Sequence, residues 1–204
     1  PRALGINAAQ FLRRADILLR PKFYVAPGAF QVYGFQSLSG ELRAQEGRIL
    51  SNWGDAGWGR VVSEDKHSNH FRDDLVEAVA EMIMERWKPE PEPKWLTCVP
   101  SHKHPELVPD FAKRLAKKIG IPFIEAIDKV RNNEPQKLQQ NRYHQCRNLD
   151  GVFKVRSKVP PAAVFLVDDI VDSGWTMAVL SALLRQAGSG RVYPLALAST
   201  RPGD

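Results

Sequence analysis

The sequence feature that most constrains the fold is Val164–Val167, four consecutive apolar residues followed directly by two acids, Asp168 and Asp169. A strand that is buried on both faces has a continuous run of apolar residues, whereas a strand with one solvent-exposed face alternates apolar and polar residues. We therefore predict a buried strand of a parallel sheet here. In such sheets ligands bind beyond the carboxyl ends of the strands, which is where the two acids stand.

The second half of the chain alternates strands with helices in a regular order. Strands are predicted at Trp95–Val99, Pro122–Ile127, Gly151–Val155, Ala163–Val167 and Val192–Ala198. Helices are predicted at Glu106–Lys118 and Thr176–Ala187. This alternation favours an α/β fold, a parallel sheet with helices on both faces.

The first 66 residues have a different pattern, with many turn signals and short apolar runs. We interpret residues 1–66 as a small irregular α+β module with a short helix at Ala8–Arg14 and a strand in "ADILLR". Residues 67–204 form the second predicted domain. It begins with a long amphipathic helix over 69–87, with Asn69 as its N-cap, and a proline-rich linker over 88–94. The apolar stripe of this helix consists of Phe71, Leu75, Val76, Val79, Ile83 and Met84.

The residues after the buried strand point to a phosphate and a ribose. Two adjacent carboxylates repel each other, and the hydroxyls of a ribose can donate to them while Mg²⁺ could offset their charge. Gly174 lets the backbone approach an anion, Ser173 and Thr176 offer hydroxyls, and the next helix directs its free N–H groups to the same point. Asp172, at the entrance of this loop, is better placed to face a reacting base or a second hydroxyl.

Other interpretations of the acid pair are open at this point. A Walker B strand also ends in acids, but the chain has no GxxxxGK[ST] sequence. A phospho-acceptor pair does not explain the "DSGWT" that follows. A purely structural turn, with Asp172 as a helix cap, is the third alternative.

Composition and charge limit the class of protein. A chain of 204 residues with 43% hydrophobic content can bury a core, and no apolar run is long enough to span a bilayer. Cys98 and Cys146 have neither metal-ligand spacing nor a disulfide framework, so we expect a cytoplasmic protein. From His102 to Lys158 there are 13 Lys and Arg against 6 acids, a local charge of +7 that favours an anionic partner. The first residue is Pro, which suggests a processed chain or an excerpt.

The stretch "VFLVDDIVDSGWT" resembles the phosphoribosylpyrophosphate signature of type I phosphoribosyltransferases. The resemblance implies that Asp168 and Asp169 bind the ribose hydroxyls and that Asp172 is the catalytic candidate for proton transfer. It also implies that the 5′-phosphate is held by Asp172, Ser173, Gly174, Trp175 and Thr176. Mg²⁺ would accompany a phosphoribosylpyrophosphate-type ligand, with no residue assigned as a direct metal ligand. Trp175 departs from the pattern, because its bulk could narrow the pocket.

Two further stretches resemble the ComF-like branch of these proteins. "CVPSHKHP" is similar to the pyrophosphate loop, which implies that Ser101, His102 and Lys103 lie near the diphosphate. "QKLQQNRYHQCRNLDGVFKV" is similar to the hood segment and the strand after it. His102 has an alternative interpretation as an exposed loop histidine.

The first half, with "EGRILSNWGDAGWGR" as its key stretch, resembles a segment that follows the motor domains of certain bacterial RecQ-family DNA helicases. The resemblance implies an accessory carboxyl-terminal domain in DNA repair or recombination, with motor domains in the same chain. Single-stranded or forked DNA would be the partner, bound by Lys137, Arg142 and Arg147. The alternative is an active Mg²⁺-dependent phosphoribosyltransferase that uses phosphoribosylpyrophosphate, or a domain that binds this compound or a nucleotide without turnover.

Overall fold

The computed structural model describes residues 16–134, 141–156 and 158–200. Their main feature is a five-stranded sheet in the order β1-β2-β7-β6-β3. Its strands are β1 (Ile17–Leu19), β2 (Gly47–Asn52), β3 (Trp95–Cys98), β6 (Val164–Val171) and β7 (Val192–Ser199). β1 is antiparallel to β2, and the other neighbours are parallel. A separate antiparallel pair joins β4 (Ile127–Lys129) to β5 (Phe153–Val155).

The helices are α1 (Trp58–His67), α2 (Asp73–Glu81), α3 (Leu107–Ile119), α4 (Arg142–Arg147) and α5 (Trp175–Gln186). A π-helical segment, Met82–Trp87, continues α2, and a short 3-10 turn covers Gly40–Leu42. None of the helices in the described part of the chain is long and apolar enough to cross a membrane. The helix predicted at Ala8–Arg14 lies outside the described residues.

The helix predicted over 69–87 begins four residues later than expected. Asn69 has a φ of 57°, in the left-handed region, so it cannot be the N-cap, and the cap position belongs to Arg72. Met84 was assigned to the apolar stripe but is 49% exposed, because the π-helical turns change the spacing on which the stripe was based.

Both faces of the sheet are covered, as the apolar run of β6 predicts. Val164 and Leu166 pack in one cluster with Leu180 of α5. Phe165 and Val167 pack in the opposite cluster with α2 and α3. Because neighbouring residues of a strand point to opposite faces, a strand that is apolar at every position requires two cores. The α/β prediction, with helices on both faces, is confirmed.

The amino-terminal half contributes to the same sheet. β2 was not predicted, yet Ile49 pairs with Ala196 of β7 in parallel register. α1 follows β2 so closely that a Cβ on Gly59 would lie 1.9 Å from the main-chain oxygen of Asn52. The segment before β2 is irregular and buries Phe30 and Leu38 on the α5 face. The division at residue 66 stays a prediction, since a shared sheet does not test independent folding.

Candidate functional site

A cleft of about 790 Å³ lies at the carboxyl ends of β3 and β6. β3 pairs with β6 only as far as Cys98 and Val167, whereas β7 continues to pair with β6 through Val171. The acid pair therefore lies within β6, at the point where its neighbour on one side has ended. The lining includes Ser101, Lys103, Asp168, Asp169, Asp172, Ser173, Gly174 and Thr176. The structure thus brings most of the predicted ribose, phosphate and pyrophosphate residues into one cavity.

The loop before α5 has the geometry of an anion site. Gly174 has a φ of 79° and is the N-cap of α5, so glycine is favoured at this position and the first free N–H groups of the helix follow it. The Ser173 hydroxyl is buried and has no hydrogen-bond partner within the described residues. Because buried hydroxyls are normally hydrogen-bonded, the Ser173 hydroxyl could donate to an oxygen of a bound ligand. The Thr200 hydroxyl donates to Oδ1 of Asp172 at 2.9 Å, which orients that carboxylate.

The acid pair is held by a cation that the sequence did not reveal. Nζ of Lys66, from α1, lies 2.7 Å from Oδ2 of Asp169. The Asp169 main-chain N–H donates to Oδ1 of Asp168 at 2.8 Å. Burial, followed by the neighbouring Asp169 charge, raises the pKa of Asp168 well above its ordinary value. No local pattern points to Lys66, because it precedes Asp169 by 103 residues.

The residues at the acid pair do not fit a protein-bound Mg²⁺ ion. The Lys66 ammonium already occupies Oδ2 of Asp169, one of the oxygens that such a cation would use. Across residues 16–134, 141–156 and 158–200, no group of three or more His, Cys, Asp or Glu side chains could hold a metal ion. The charge of Asp169 is offset by an amino group of the chain itself.

The loop after β3 places two of its three predicted residues in the cleft. Ser101 and Lys103 line the cavity, but His102 does not. The His102 ring contacts Oδ1 of Asn132 at 2.7 Å and the main-chain oxygen of Lys129 at 2.8 Å, so it joins two loops instead. Lys129 was not predicted as a site residue but lines the cleft, and burial lowers the pKa of its amino group.

Trp175 does not narrow the cleft, contrary to the expectation from its size. Its side chain is 4% exposed and packs in the apolar cluster on the α5 face. It borders a second cavity of about 460 Å³, together with Lys22, Tyr24 and Arg142. Any contact of residue 175 with a phosphate would therefore come from its main chain.

Two of the three residues predicted to contact DNA, Arg142 and Arg147, lie at the two ends of α4. Lys137 lies outside the described residues. The Arg142 guanidinium stands over the Tyr24 ring, 5.0 Å from its centroid. Arg147 lies 3.3 Å from Oδ2 of the buried Asp150, so it compensates an internal charge.

The Phosphoribosyl transferase domain model matches residues 110–199, from within α3 to the end of β7. The matched segment carries the acid pair and the loop before α5. No curated protein matches the chain significantly.

Solved phosphoribosyltransferases are similar to this chain in structure. The purine phosphoribosyltransferase from Pyrococcus horikoshii Ot3 has a TM-score of 0.41 and 18% identity, covering 64% of this chain and 76% of that one. The adenine phosphoribosyltransferase from Saccharomyces cerevisiae has a TM-score of 0.40 and 16% identity, covering 62% and 70%. The adenine phosphoribosyltransferase from Leishmania donovani has a TM-score of 0.42 and 13% identity, covering 96% and 80%. These likenesses carry no inference about the substrate of this chain.

Proposed function

We propose that the cleft binds a ligand that carries a ribose 5-phosphate group, such as phosphoribosylpyrophosphate or a nucleotide. The observation that carries the proposal is the convergence of three features on one cavity. These are the acid pair of β6, the loop that caps α5 and the loop after β3. The hydroxyls of a ribose phosphate can donate to the acid pair, and its phosphate oxygens can accept from the loop that caps α5.

The phosphate would lie against residues 173–176, where the first N–H groups of α5 and the Ser173 hydroxyl are available to an anion. The ribose hydroxyls would donate to Asp168 and Asp169. A diphosphate, where present, would extend toward Ser101 and Lys103. Mg²⁺ belongs to this proposal as a companion of a diphosphate.

Calorimetry with ribose 5-phosphate and with phosphoribosylpyrophosphate tests the proposal. Ser173→Ala removes a hydrogen bond to a charged group, so we expect roughly tenfold weaker binding. Ser63→Ala, on α1 outside the cleft, is the matched control and should bind as the wild type does. Absence of binding by the wild type, or equal affinities of all three proteins, would overturn the proposal.

An active phosphoribosyltransferase is the alternative that the position of Asp172 supports. In that reaction a nucleobase nitrogen bonds to the ribose C1 as the bond from C1 to the diphosphate oxygen breaks, and diphosphate leaves. The proton of the nucleobase would pass to Asp172, whose carboxylate lines the cleft and is oriented by Thr200. Diphosphate release should then require a nucleobase and fall at least about 100-fold in Asp172→Asn. Ligand binding without release of diphosphate for any nucleobase would leave a binding domain.

The second candidate is a cytoplasmic accessory domain of a RecQ-type helicase, with a ComF-like phosphoribosyltransferase fold that binds DNA. Its support is the second cavity, where Arg142 stands over the exposed Tyr24 ring beside Lys22 and Phe23. Aromatic rings with neighbouring cations are the surfaces on which unpaired bases stack. The basic composition of residues 102–158 also favours binding of DNA, which is an anion.

Fluorescence anisotropy with single-stranded and forked DNA tests this second candidate. Binding should weaken steeply between low and moderate salt, since phosphate contacts release counterions. Tyr24→Ala and Arg142→Ala should each weaken it, whereas Lys118→Ala on the distant α3 should not. Binding that is absent, or unchanged by both cavity substitutions, would remove this candidate.

A further inference from the structure

We propose that Lys66 is the permanent counter-ion of the acid pair, so that ribose phosphate binds at this site without Mg²⁺. The inference rests on the proposed function. It starts from the 2.7 Å contact of Nζ of Lys66 with Oδ2 of Asp169. Adjacent carboxylates require a cation or several donors, and an amino group of the chain supplies the cation here.

The ion pair is partly shielded from water. The Lys66 side chain is 27% exposed and that of Asp169 12%. An exposed pair contributes little and exchanges its partner readily, whereas a largely buried pair is costly to break because one charge is left without compensation. A divalent cation that binds Oδ2 of Asp169 would have to break it.

The position of Lys66 is fixed by the residue before it. Asp65 is buried and accepts hydrogen bonds at 2.8 Å from both the main-chain N–H and Nε of Arg72. These bonds attach the end of α1 to the residue that caps α2. The end of α1 that carries Lys66 is therefore held in place beside the acid pair.

The charge balance of the cleft leads to the same conclusion. Its lining in the described structure contains three lysines and three aspartates, Lys66, Lys103, Lys129, Asp168, Asp169 and Asp172. A carboxylate can accept about four hydrogen bonds, so an ammonium on one oxygen leaves acceptor capacity for ribose hydroxyls. The cavity thus has the charges for a phosphorylated ribose without an added metal.

Calorimetry with ribose 5-phosphate, which has no diphosphate to bring its own Mg²⁺, is the appropriate experiment. The wild-type dissociation constant should change less than about twofold between EDTA and Mg²⁺. Lys66→Met should bind roughly tenfold more weakly in EDTA and recover affinity when Mg²⁺ is added. Lys118→Met is the matched control, because Lys118 also lies 2.7 Å from a carboxylate, that of Glu77, but outside the cleft. It should behave as the wild type does.

The outcomes separate the inference from the function on which it rests. Wild-type binding that depends strongly on Mg²⁺, or Lys66→Met binding that is indifferent to it, would overturn the role of Lys66 while leaving ribose phosphate as the ligand.

If the wild type binds no ribose phosphate, the proposed function fails, and thermal unfolding with Mg²⁺ alone still tests Lys66. Mg²⁺ should then raise the melting temperature of Lys66→Met but not that of the wild type, and equal shifts would contradict the inference. Lys66→Gln replaces the Met variant if the latter does not fold.

Discussion

The Tyr33 hydroxyl binds both main-chain polar groups of Phe153, donating to its oxygen at 2.8 Å and accepting from its N–H at 2.7 Å. The two residues are 120 positions apart. The irregular amino-terminal segment is thereby fastened to β5, next to the candidate site, whose cleft Phe153 lines. The segment contributes to the architecture of the site as well as to the sheet.

Removal of this hydroxyl should destabilise the protein. Tyr33→Phe leaves a buried N–H and a buried oxygen of Phe153 without this partner, so we expect a loss of about 1–3 kcal/mol in the free energy of unfolding. Urea denaturation followed by circular dichroism measures it. Tyr143→Phe, at a position 40% exposed, is the control with little expected effect. Equal denaturation midpoints for the wild type and Tyr33→Phe would contradict this assignment.

Arg147 should affect stability more than Arg142 does, although both were predicted to contact DNA. Asp150 is 2% exposed and accepts from the main-chain N–H groups of Gln31, Val32 and Tyr33 at 2.9–3.0 Å. Arg147→Ala removes the cation beside this buried charge, and we expect a cost of about 2 kcal/mol. Within the described residues Arg142→Ala loses a contact with an exposed ring, and it should cost less than about 1 kcal/mol.

Thermal unfolding of the two variants measures this difference, and equal effects would contradict it. The result bears on the DNA experiments, because a DNA-binding defect of Arg147→Ala cannot be separated from its lower stability. Arg142→Ala is the informative substitution for that purpose.

Gly59 should tolerate no side chain. A Cβ there would lie 1.9 Å from the main-chain oxygen of Asn52, and neither β2 nor α1 can move without disturbing the sheet. We expect Gly59→Ala to cost more than about 3 kcal/mol, as overpacking against backbone does at its upper end. Gly120→Ala is the control: it has a φ of 76° but open space around it, so only the conformational strain of about 1 kcal/mol applies. Soluble yield and melting temperature rank the two variants, and an equal rank would contradict the steric argument.

The elements that could be predicted are those with a strong local pattern. The apolar runs of β3, β6 and β7 and the periodicity of α3 and α5 are visible in a short window of sequence. β2 and α1 were missed because "SNWGDAGWGR" contains turn residues, and one of them, Gly59, is required for close packing of a helix and not for a turn.

For the candidate site, the acid pair and the loop before α5 are close together in sequence, and the chemistry of their side chains is evident from residue type. Lys66 and Lys129 are distant from them in sequence and could be found only from the fold. The orientation of Trp175 was also unpredictable, since a large residue beside a phosphate loop can face the cavity or the core, and here the apolar cluster beside α5 takes it.

Asp168 should reduce stability at neutral pH, and this effect should disappear in acid. Its pKa in the folded protein is raised above the ordinary value of 3.8, first by burial and then by the neighbouring Asp169. Between these two pKa values the folded state binds more protons than the unfolded state, so the free energy of unfolding falls as pH rises through this window.

Asp168→Asn cannot ionise, and its amide oxygen can still accept from the Asp169 N–H. The variant should therefore melt roughly 2–4 °C above the wild type at pH 7, the shift that about 1 kcal/mol produces in a chain of this size. The difference should shrink as the pH approaches 4. Thermal unfolding across this range measures it, with Glu85→Gln on the exposed surface as a control whose effect should not follow the same trend. A variant less stable than the wild type at pH 7 would show that the Asp168 charge is compensated in the folded protein; a more stable one would indicate that the carboxylate is retained for its ligand at a cost to the fold.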